Sequence, residues 1–360
     1  MEEIIFSAPI NSLSFGNVSY NFLREFYKLG TKLHYFPIGN KLDFSAFDSI
    51  DEDFKKYVND AYSNRLNGIN RDIPSLKMWH INGSESSITP RRFLYTFHEI
   101  SQATDTEVSL CNLNDCTIFS SSYSKDIFSN KLDNCEAAGI GFDEDFYKTG
   151  KSYLKNKIHF GLMGKFENRK HTKKIIKYWI EKFGNNKDYQ LSCCINNPFY
   201  KEEQNHGLIL DAMGGEKYTN VNILPRLSTN SEVNDFMNSL DIDLSGLSGA
   251  EGWNLPAFNS TCLGKWSVVM NCTSHKDWAN AENCILVEPD GEIECYDEIF
   301  FKKGQPYNQG NIFFFNQDTF NNAMDRALEM VGKNNDNGER LKETFTYSNT
   351  IKQINNIIKK

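Results

Sequence analysis

Apolar residues along the chain fall into two spacings. Short runs, EIIFSAPI, KLHYFPIG, SLKMWHING, RFLYTFHEI and CTIFSSS in the first half and KIHFGLMG, YQLSCCIN, YTNVNILP, DIDLSGLS, SVVMN and CILVEP in the second, read as strands. Between them the apolar positions return every third or fourth residue, the period of an amphipathic helix. VSYNFLREFYKLG reads as a helix closed by Gly30, and DEDFKKYVNDAYSNRL as another. HTKKIIKYWIEKFG places Ile175, Ile176, Trp179, Ile180 and Phe183 on one stripe with lysines opposite. SEVNDFMNSL sets Val233, Phe236, Met237 and Leu240 behind an expected N-cap at Ser231. Strands alternating with helices build largely parallel sheets, so the expected fold class is α/β.

The segment EAAGIGFDEDFYKTGKSYLKNK loses the periodicity and carries glycines and charges, which marks a connection. Two domains follow, residues 1–155 and 156–337, each Rossmann-like, with a last amphipathic helix in 338–360 built on Ile351, Ile354 and Ile358. That helix is expected to pack back on the first domain. Two such domains face each other across a cleft, and in open parallel sheets the ligand lies beyond the carboxyl ends of the strands.

Composition narrows the class. At 360 residues, with 39% apolar and 13% aromatic content, the chain can fill real cores. A net charge of -8 gives no global footprint for a polyanion. The nine cysteines are scattered without a Cys-x-x-Cys pair, which points to reduced thiols and away from structural zinc. MEEIIFSAPI lacks the features of a signal peptide and no stretch approaches 18 consecutive apolar residues, so a cytoplasmic protein is expected, in host cytoplasm if the source is viral.

Three loops carry candidate chemistry. In FGLMGKFENRKHTKK a strand ends at Gly164, a short loop delivers Lys165, and Arg169, Lys170 and His171 fall at the start of a helix. Free N–H groups and nearby cations suit a phosphate there, although a solvated basic helix start has the same composition. In GAEGWNLPAF, Pro256 fits a first helical turn, Gly252 lets backbone approach a ligand, and the amides near 252–255 would face an anion. Glu251 would then accept hydrogen bonds from sugar hydroxyls beside the phosphate, or else cap the helix itself. In NSLSFGNVSYNF, Gly16 is a lone glycine between the first strand and first helix, a weak phosphate-loop signal. His80 and His98 each end an apolar strand and point to the inter-domain edge. Gly-x4-Gly-Lys-Ser/Thr, Gly-x-Ser-x-Gly and paired acidic metal motifs are all absent.

Taken in order, GKFENRKH, then SEVNDFMNSLDIDLSGLSGAEGWNLPAF, resembles the retaining glycosyltransferases of family 4, which have the two-domain GT-B fold. TIFSSSYSKDIF and GIGFDEDF upstream and ENCILVEPDG downstream extend the likeness over most of the chain. The resemblance implies a first domain on the acceptor side and a second domain that binds the nucleotide-sugar, a UDP- or GDP-sugar as donor substrate, no tightly bound cofactor and no metal. It sets Lys165 where the family has arginine, Lys170 on the family's lysine, and His171 on its final glycine. It implies that Lys165 and Lys170 stabilise the leaving diphosphate and that Glu251 holds sugar hydroxyls. His98 would face the donor sugar, and Gly16, Gly164, Arg169, Gly252, Trp253, Asn254 and Leu255 would line the donor. Asn196, Pro225 and Arg226, on the loops at 195–199 and 224–228, would neighbour the nucleotide base.

Two departures stand out. Asn259 occupies the place of the family's second glutamate, and Lys165 exchanges a planar fork for a point charge. The expected acceptor is a saccharide. A hydroxylated DNA base ranks below it, because a nucleic-acid partner would need a basic stripe on the first domain. A sugar-nucleotide epimerase and a catalytically weakened nucleotide-binding module are the remaining readings, and oligomeric state is left open.

Overall fold

The structure, a computed structural model, describes every residue except Met1, Ser152, Lys155 and Glu298, and all side chains of these but that of Asn40. The expected domain boundary at Lys155 therefore lies outside the described residues. The first sheet comprises β1 (Glu3–Ile10), β2 (Lys32–Leu42), β3 (Ser75–Met78), β4 (Arg92–Thr96), β5 (Cys116–Phe119) and β6 (Cys135–Ala137), all parallel, in the order β2-β1-β3-β4-β5-β6. Its helices are α1 (Ser14–Lys28), α2 (Glu52–Ser63), α3 (Asp105–Cys111) and α4 (Ser122–Ser129). The strands bury nearly every side chain because helices cover the sheet, which is why they read as continuous apolar runs.

The second sheet has β7 (Ile158–Met163), β8 (Tyr189–Cys194), β9 (Val221–Ile223), β10 (Ile242–Asp243), β11 (Trp266–Met270) and β12 (Ile285–Val287), again parallel, in the order β12-β11-β10-β7-β8-β9. Helices α5 (Thr172–Phe183), α6 (Glu202–Ala212), α7 (Asn230–Ser239) and α8 (Leu255–Cys262) connect its strands. A hairpin of β13 (Gly291–Glu294) and β14 (Asn311–Phe314) follows, then α9 (Gln317–Met330), α10 (Asp336–Thr344) and α11 (Tyr347–Lys359). Both strand orders reverse direction once, between β1 and β3 and between β7 and β10, and loops at such switch points open into ligand crevices.

Local expectations needed several corrections. Helix α1 begins at Ser14, so Gly16 lies inside its first turn and not in the preceding loop. A Cβ at Gly16 would collide with the Asn11 backbone, so the glycine serves close packing of the β1 to α1 turn. Helix α7 is capped by Thr229 and not Ser231: the Thr229 hydroxyl accepts from Glu232 N, and the Glu232 carboxylate accepts from Thr229 N, each at 3.2 Å. DIDLSGLS yields only the two-residue β10, because Asp243 Oδ1 accepts from Ser245 Oγ at 2.6 Å and turns the chain into one 3-10 turn at 245–247.

The chain crosses between the sheets twice. After β6 it runs through 138–157, where no helix occurs among the described residues, and after α10, which packs on α8, it returns as α11, which packs on α1. The return is pinned at several points: Phe142 bridges Thr346, Arg91 Nη2 donates to Ile358 O at 2.9 Å, and Thr350 Oγ1 donates to Gly139 O at 2.7 Å. Among the described residues no helix is long and apolar enough to cross a membrane.

Candidate functional site

The loops at both switch points face each other across a cleft of about 470 Å³, a size that suits a small organic ligand. From the first sheet it is lined by the turn after β1 (Asn11, Ser12, Leu13), by Trp79 and His80 after β3, and by Phe97, His98 and Glu99 after β4. From the second it is lined by Gly164, Lys165, Glu167, Arg169 and Lys170 after β7, and by Glu251 to Pro256 and Asn259 at α8.

The β7 to α5 loop builds a charge cluster. Gly164 has φ 140°, which L side chains rarely adopt, and it lets the chain turn so that Lys165 enters the cleft. His171, at the N-cap of α5, has φ 54° and makes no side-chain cap, so its left-handed backbone occupies a position that suits glycine. Its ring turns away from the cleft and Nε2 lies 2.7 Å from Phe313 O. Helix α5 consequently begins with uncapped amides beside three cations.

Those cations are already matched. Arg169, buried at the centre, reaches Glu167 at 3.0 Å through Nη2, Glu251 at 3.1 Å through Nη1 and Glu99 at 3.2 Å through Nε. Lys165 pairs with Glu167 at 2.7 Å, and Lys170 donates to Glu251 Oε1. Lys165 is also flanked by aromatic faces, with Nζ 5.2 Å from the Phe199 ring centre and 5.0 Å from that of Phe300. Burial works to raise the Glu251 carboxyl, but the Lys170 ammonium and the Arg169 guanidinium overcome it and hold the group well below the usual carboxylate range. Glu99 moves the other way: burial, with Glu251 and Glu167 nearby, raises it despite Arg169.

The α8 entrance is shaped by one residue with a special backbone. Asn254 stands in the left-handed region at φ 69°, caps α8 by accepting from Ala257 N, and donates through Nδ2 to Ser245 O at 2.9 Å. Its amide also lies 3.0 Å from His275 Nε2, and the His275 Nδ1 lies 2.9 Å from Met270 O. The helix cap is therefore Asn254, which leaves Glu251 free of that role. Pro256 sits in the first turn, as its missing N–H allows. At Gly252 the close neighbour is protein: a Cβ there would lie 2.8 Å from Phe97 Cβ, and its carbonyl accepts from Ser120 Oγ at 2.7 Å. Both partners belong to the first domain, so Gly252 is one of the points at which the two domains touch.

The other candidate residues separate on placement. Leu255 and Asn259 line the cleft, and the buried Asn259 Oδ1 has no hydrogen-bond partner among the described residues. The Trp253 ring packs among Phe258 and Phe345 over Gly139, whose Cβ position lies 2.8 Å from it, so this indole is a packing element at the cleft floor. Asn196 and Pro225 are exposed and stand apart from the cleft lining, as does Arg226, which donates to Ser12 Oγ at 2.5 Å. Their places on the lining are taken by Phe199 and by Leu227 to Asn230. Gly16 is also absent from the lining.

Of the two strand-end histidines, His98 is buried edge-on against Phe128 at 4.9 Å, with its Nε2 unpartnered, and burial lowers its pKa. His80 instead leaves its ring open to the cleft opposite Lys165. Sequence reasoning passed over Glu99, Glu167, Phe199 and Phe300. The visible signal for Glu99 was its place beside His98 at a strand end; the rest show themselves only through partners remote in sequence.

No family model matches the chain, and no curated protein sequence does. Solved structures do. Sucrose-phosphate synthase from Thermosynechococcus elongatus aligns at 11% identity over 100% of this chain and 98% of its own, with a TM-score of 0.69. Anabaena HepE in complex with UDP aligns at 12% over 100% of both chains, TM-score 0.65. The trehalose-6-phosphate synthase OtsA aligns at 12% over 100% and 99%, TM-score 0.67. The fold is therefore GT-B: two Rossmann-like domains with parallel sheets facing across a cleft.

Proposed function

We propose that this protein is a glycosyltransferase that moves a sugar from a UDP- or GDP-sugar to a hydroxyl of a saccharide with retention of anomeric configuration. The observation that carries the reading is the cluster of Lys165, Arg169 and Lys170 at the open start of α5, closed by Glu251 at the foot of α8. Departure of a nucleoside diphosphate builds negative charge on its oxygens. Lys165, Lys170 and the first amides of α5 would stabilise that charge as it develops, without a metal. Glu251 keeps a lone pair on each oxygen beyond its pairs with Lys170 and Arg169, enough to accept from sugar hydroxyls. The unpartnered Nε2 of His98 would find its partner in the donor sugar, and Asn259 Oδ1 would take a ribose hydroxyl.

The glycosyltransferase neighbours and the UDP held by HepE support the donor class. Incubation with a panel of nucleotide-sugars tests it: release of nucleoside diphosphate is expected, and Lys170→Ala and Glu251→Ala should each reduce donor affinity or turnover by about tenfold or more. Unchanged affinity and turnover in both variants would sink the assignment. Tight binding without turnover would leave a nucleotide-binding module.

A further inference from the structure

The loop that carries Glu251 is held at each of its four residues. Glu251 N donates to Thr273 Oγ1 at 3.2 Å, Gly252 O accepts from Ser120 Oγ at 2.7 Å, Trp253 O accepts from Trp278 Nε1 at 3.2 Å, and the Asn254 side-chain amide donates to His275 Nε2 at 3.0 Å. Three of the four partners come from one short turn, residues 273–278, which follows β11. The same turn reaches the first domain, where Asp277 Oδ2 accepts from Ser122 N at 2.7 Å at the start of α4. The Glu251 loop is thereby fixed from both sides of the cleft.

The turn is built for this hold at a cost to its own backbone. Thr273 has φ 47°, a left-handed conformation that crowds a β-branched side chain, and such strain persists only where surrounding contacts impose it. His275 is fully buried, and its Nδ1 lies 2.9 Å from Met270 O. A carbonyl can only accept, so Nδ1 carries the proton and Nε2 offers its lone pair to Asn254. Burial lowers the His275 pKa to about 4 despite the Glu251 carboxylate, which keeps the ring neutral at neutral pH. The other Asn254 amide hydrogen goes to Ser245 O, so the amide cannot turn over without losing both bonds. Trp278 is buried with its ring centre 5.5 Å from Phe258 and 5.9 Å from His275, and this packing aims its N–H at Trp253 O.

We propose that Thr273, His275 and Trp278 are the positioning residues of Glu251: they fix the backbone at 251–254 so that its carboxylate meets the transferred sugar while staying paired with Lys170 and Arg169. This rests on the glycosyltransferase reading above and adds to it three residues that do not line the cleft. Without a fixed backbone the two cations would draw the carboxylate toward themselves and away from the sugar. A misplacement of about 1 Å at a reacting centre can cost about 100-fold in rate. The diphosphate, on the same reading, is met by Lys165, Lys170 and the first amides of α5, none of which is hydrogen-bonded to the turn among the described residues. Loss of the hold therefore acts on sugar transfer and spares nucleotide binding.

The test compares the full chain with Thr273→Val, Thr273→Ser and Trp278→Phe, reading turnover of a nucleotide-sugar by steady-state kinetics and binding of UDP or GDP alone by calorimetry. Valine keeps the shape and branching of threonine but offers Glu251 N no acceptor, serine keeps the oxygen, and phenylalanine keeps an aromatic ring without the N–H. Thr273→Val should lower kcat about tenfold or more and Trp278→Phe about three- to fivefold, Thr273→Ser should recover most of the wild-type rate, and nucleotide affinity should stay within about twofold in all three. Bound nucleotide also reports that each variant folds; should Thr273→Val not fold, Trp278→Phe decides. An unchanged kcat in a folded Thr273→Val or in Trp278→Phe, a nucleotide affinity that falls in step with kcat, or a serine variant as slow as the valine one overturns the positioning proposal alone. Failure of the wild-type chain to bind or turn over any nucleotide-sugar overturns the glycosyltransferase reading instead.

Discussion

Glu99 and Arg169 meet across the cleft, carboxylate oxygen to guanidinium Nε at 3.2 Å, one from the loop after β4 and the other from the foot of α5. The contact ties the first domain to the same arginine that holds Glu251. It also completes a set of three carboxylates against three cations, into which a diphosphate must bring further negative charge.

Glu99→Gln removes one of those negative charges and weakens the tie. Nucleoside diphosphate affinity should rise by about three- to tenfold while kcat for transfer falls, a split read from calorimetry beside steady-state kinetics. Because burial raises the Glu99 pKa while Glu167 and Glu251 are held low, falling pH protonates Glu99 before its two partners in the cluster and relieves its repulsion of the diphosphate. Wild-type affinity should therefore strengthen as pH drops below neutrality, and the Gln variant should lose that slope.

Asn259 offers a buried oxygen with no partner, and a ribose hydroxyl is the donor it suits. Asn259→Ala should raise donor KM by about fivefold or more, the cost of one neutral hydrogen bond. Asn259→Glu should lower donor KM by supplying a charge-assisted bond, and equal KM values for all three proteins would remove the residue from the donor site.

Gly252→Ala would drive a methyl group to 2.8 Å from Phe97 Cβ, an atom fixed by its bond to the Phe97 backbone and with little room to yield. A loss of about 1 to 3 kcal/mol in stability is expected, measured by denaturant unfolding. Turnover should drop further than stability alone explains, because the strain falls on a contact between the domains beside Glu251.

Asp243, on β10 beside Ser267 of β11, is fully enclosed, and burial raises its pKa from 3.8 to about 6 in spite of hydrogen bonds from Ser245. The folded protein thus holds this proton more tightly than the unfolded chain does. Its favourable contribution is complete below about pH 4, drains away between pH 4 and 6, and stays lost above that. Asp243→Asn should gain on the order of 2 kcal/mol over wild type at pH 8 and nothing at pH 4, read from unfolding midpoints across that range.

The order of β7, its glycine turn and α5 was legible because each cue is local: an apolar run, Gly164, then an apolar stripe every third or fourth residue. The same holds for Pro256 at the start of α8. Helices α3 and α6 escaped because α3 is a single short segment and α6 buries little, so neither imposes a strong stripe. The β13 to β14 hairpin escaped because its apolar residues pack on Ile100 and Ala250, across the molecule. His80 and His98 end neighbouring strands with similar surroundings in sequence. Which ring opens to the cleft is decided by the turn after each strand and by Phe128, and neither is visible in local spacing. Glu167 and Glu99 became meaningful only once Arg169 was seen between them.

The double crossing between the domains has a mechanical consequence. The outgoing segment at 138–142 and the returning turn at 345–347 lie side by side, joined through Phe142 N to Phe345 O at 2.8 Å and packed so closely at Gly141 that a side chain there would overlap Tyr347. Two parallel straps behave as the knuckles of a door: swinging about the line through them is soft, while twisting or sliding apart stretches one strap against the other. Such a pair of straps would confine any opening of the cleft to a single arc. Each return along that arc would bring Glu99 back to Arg169 and Phe97 back to Gly252 in the same register.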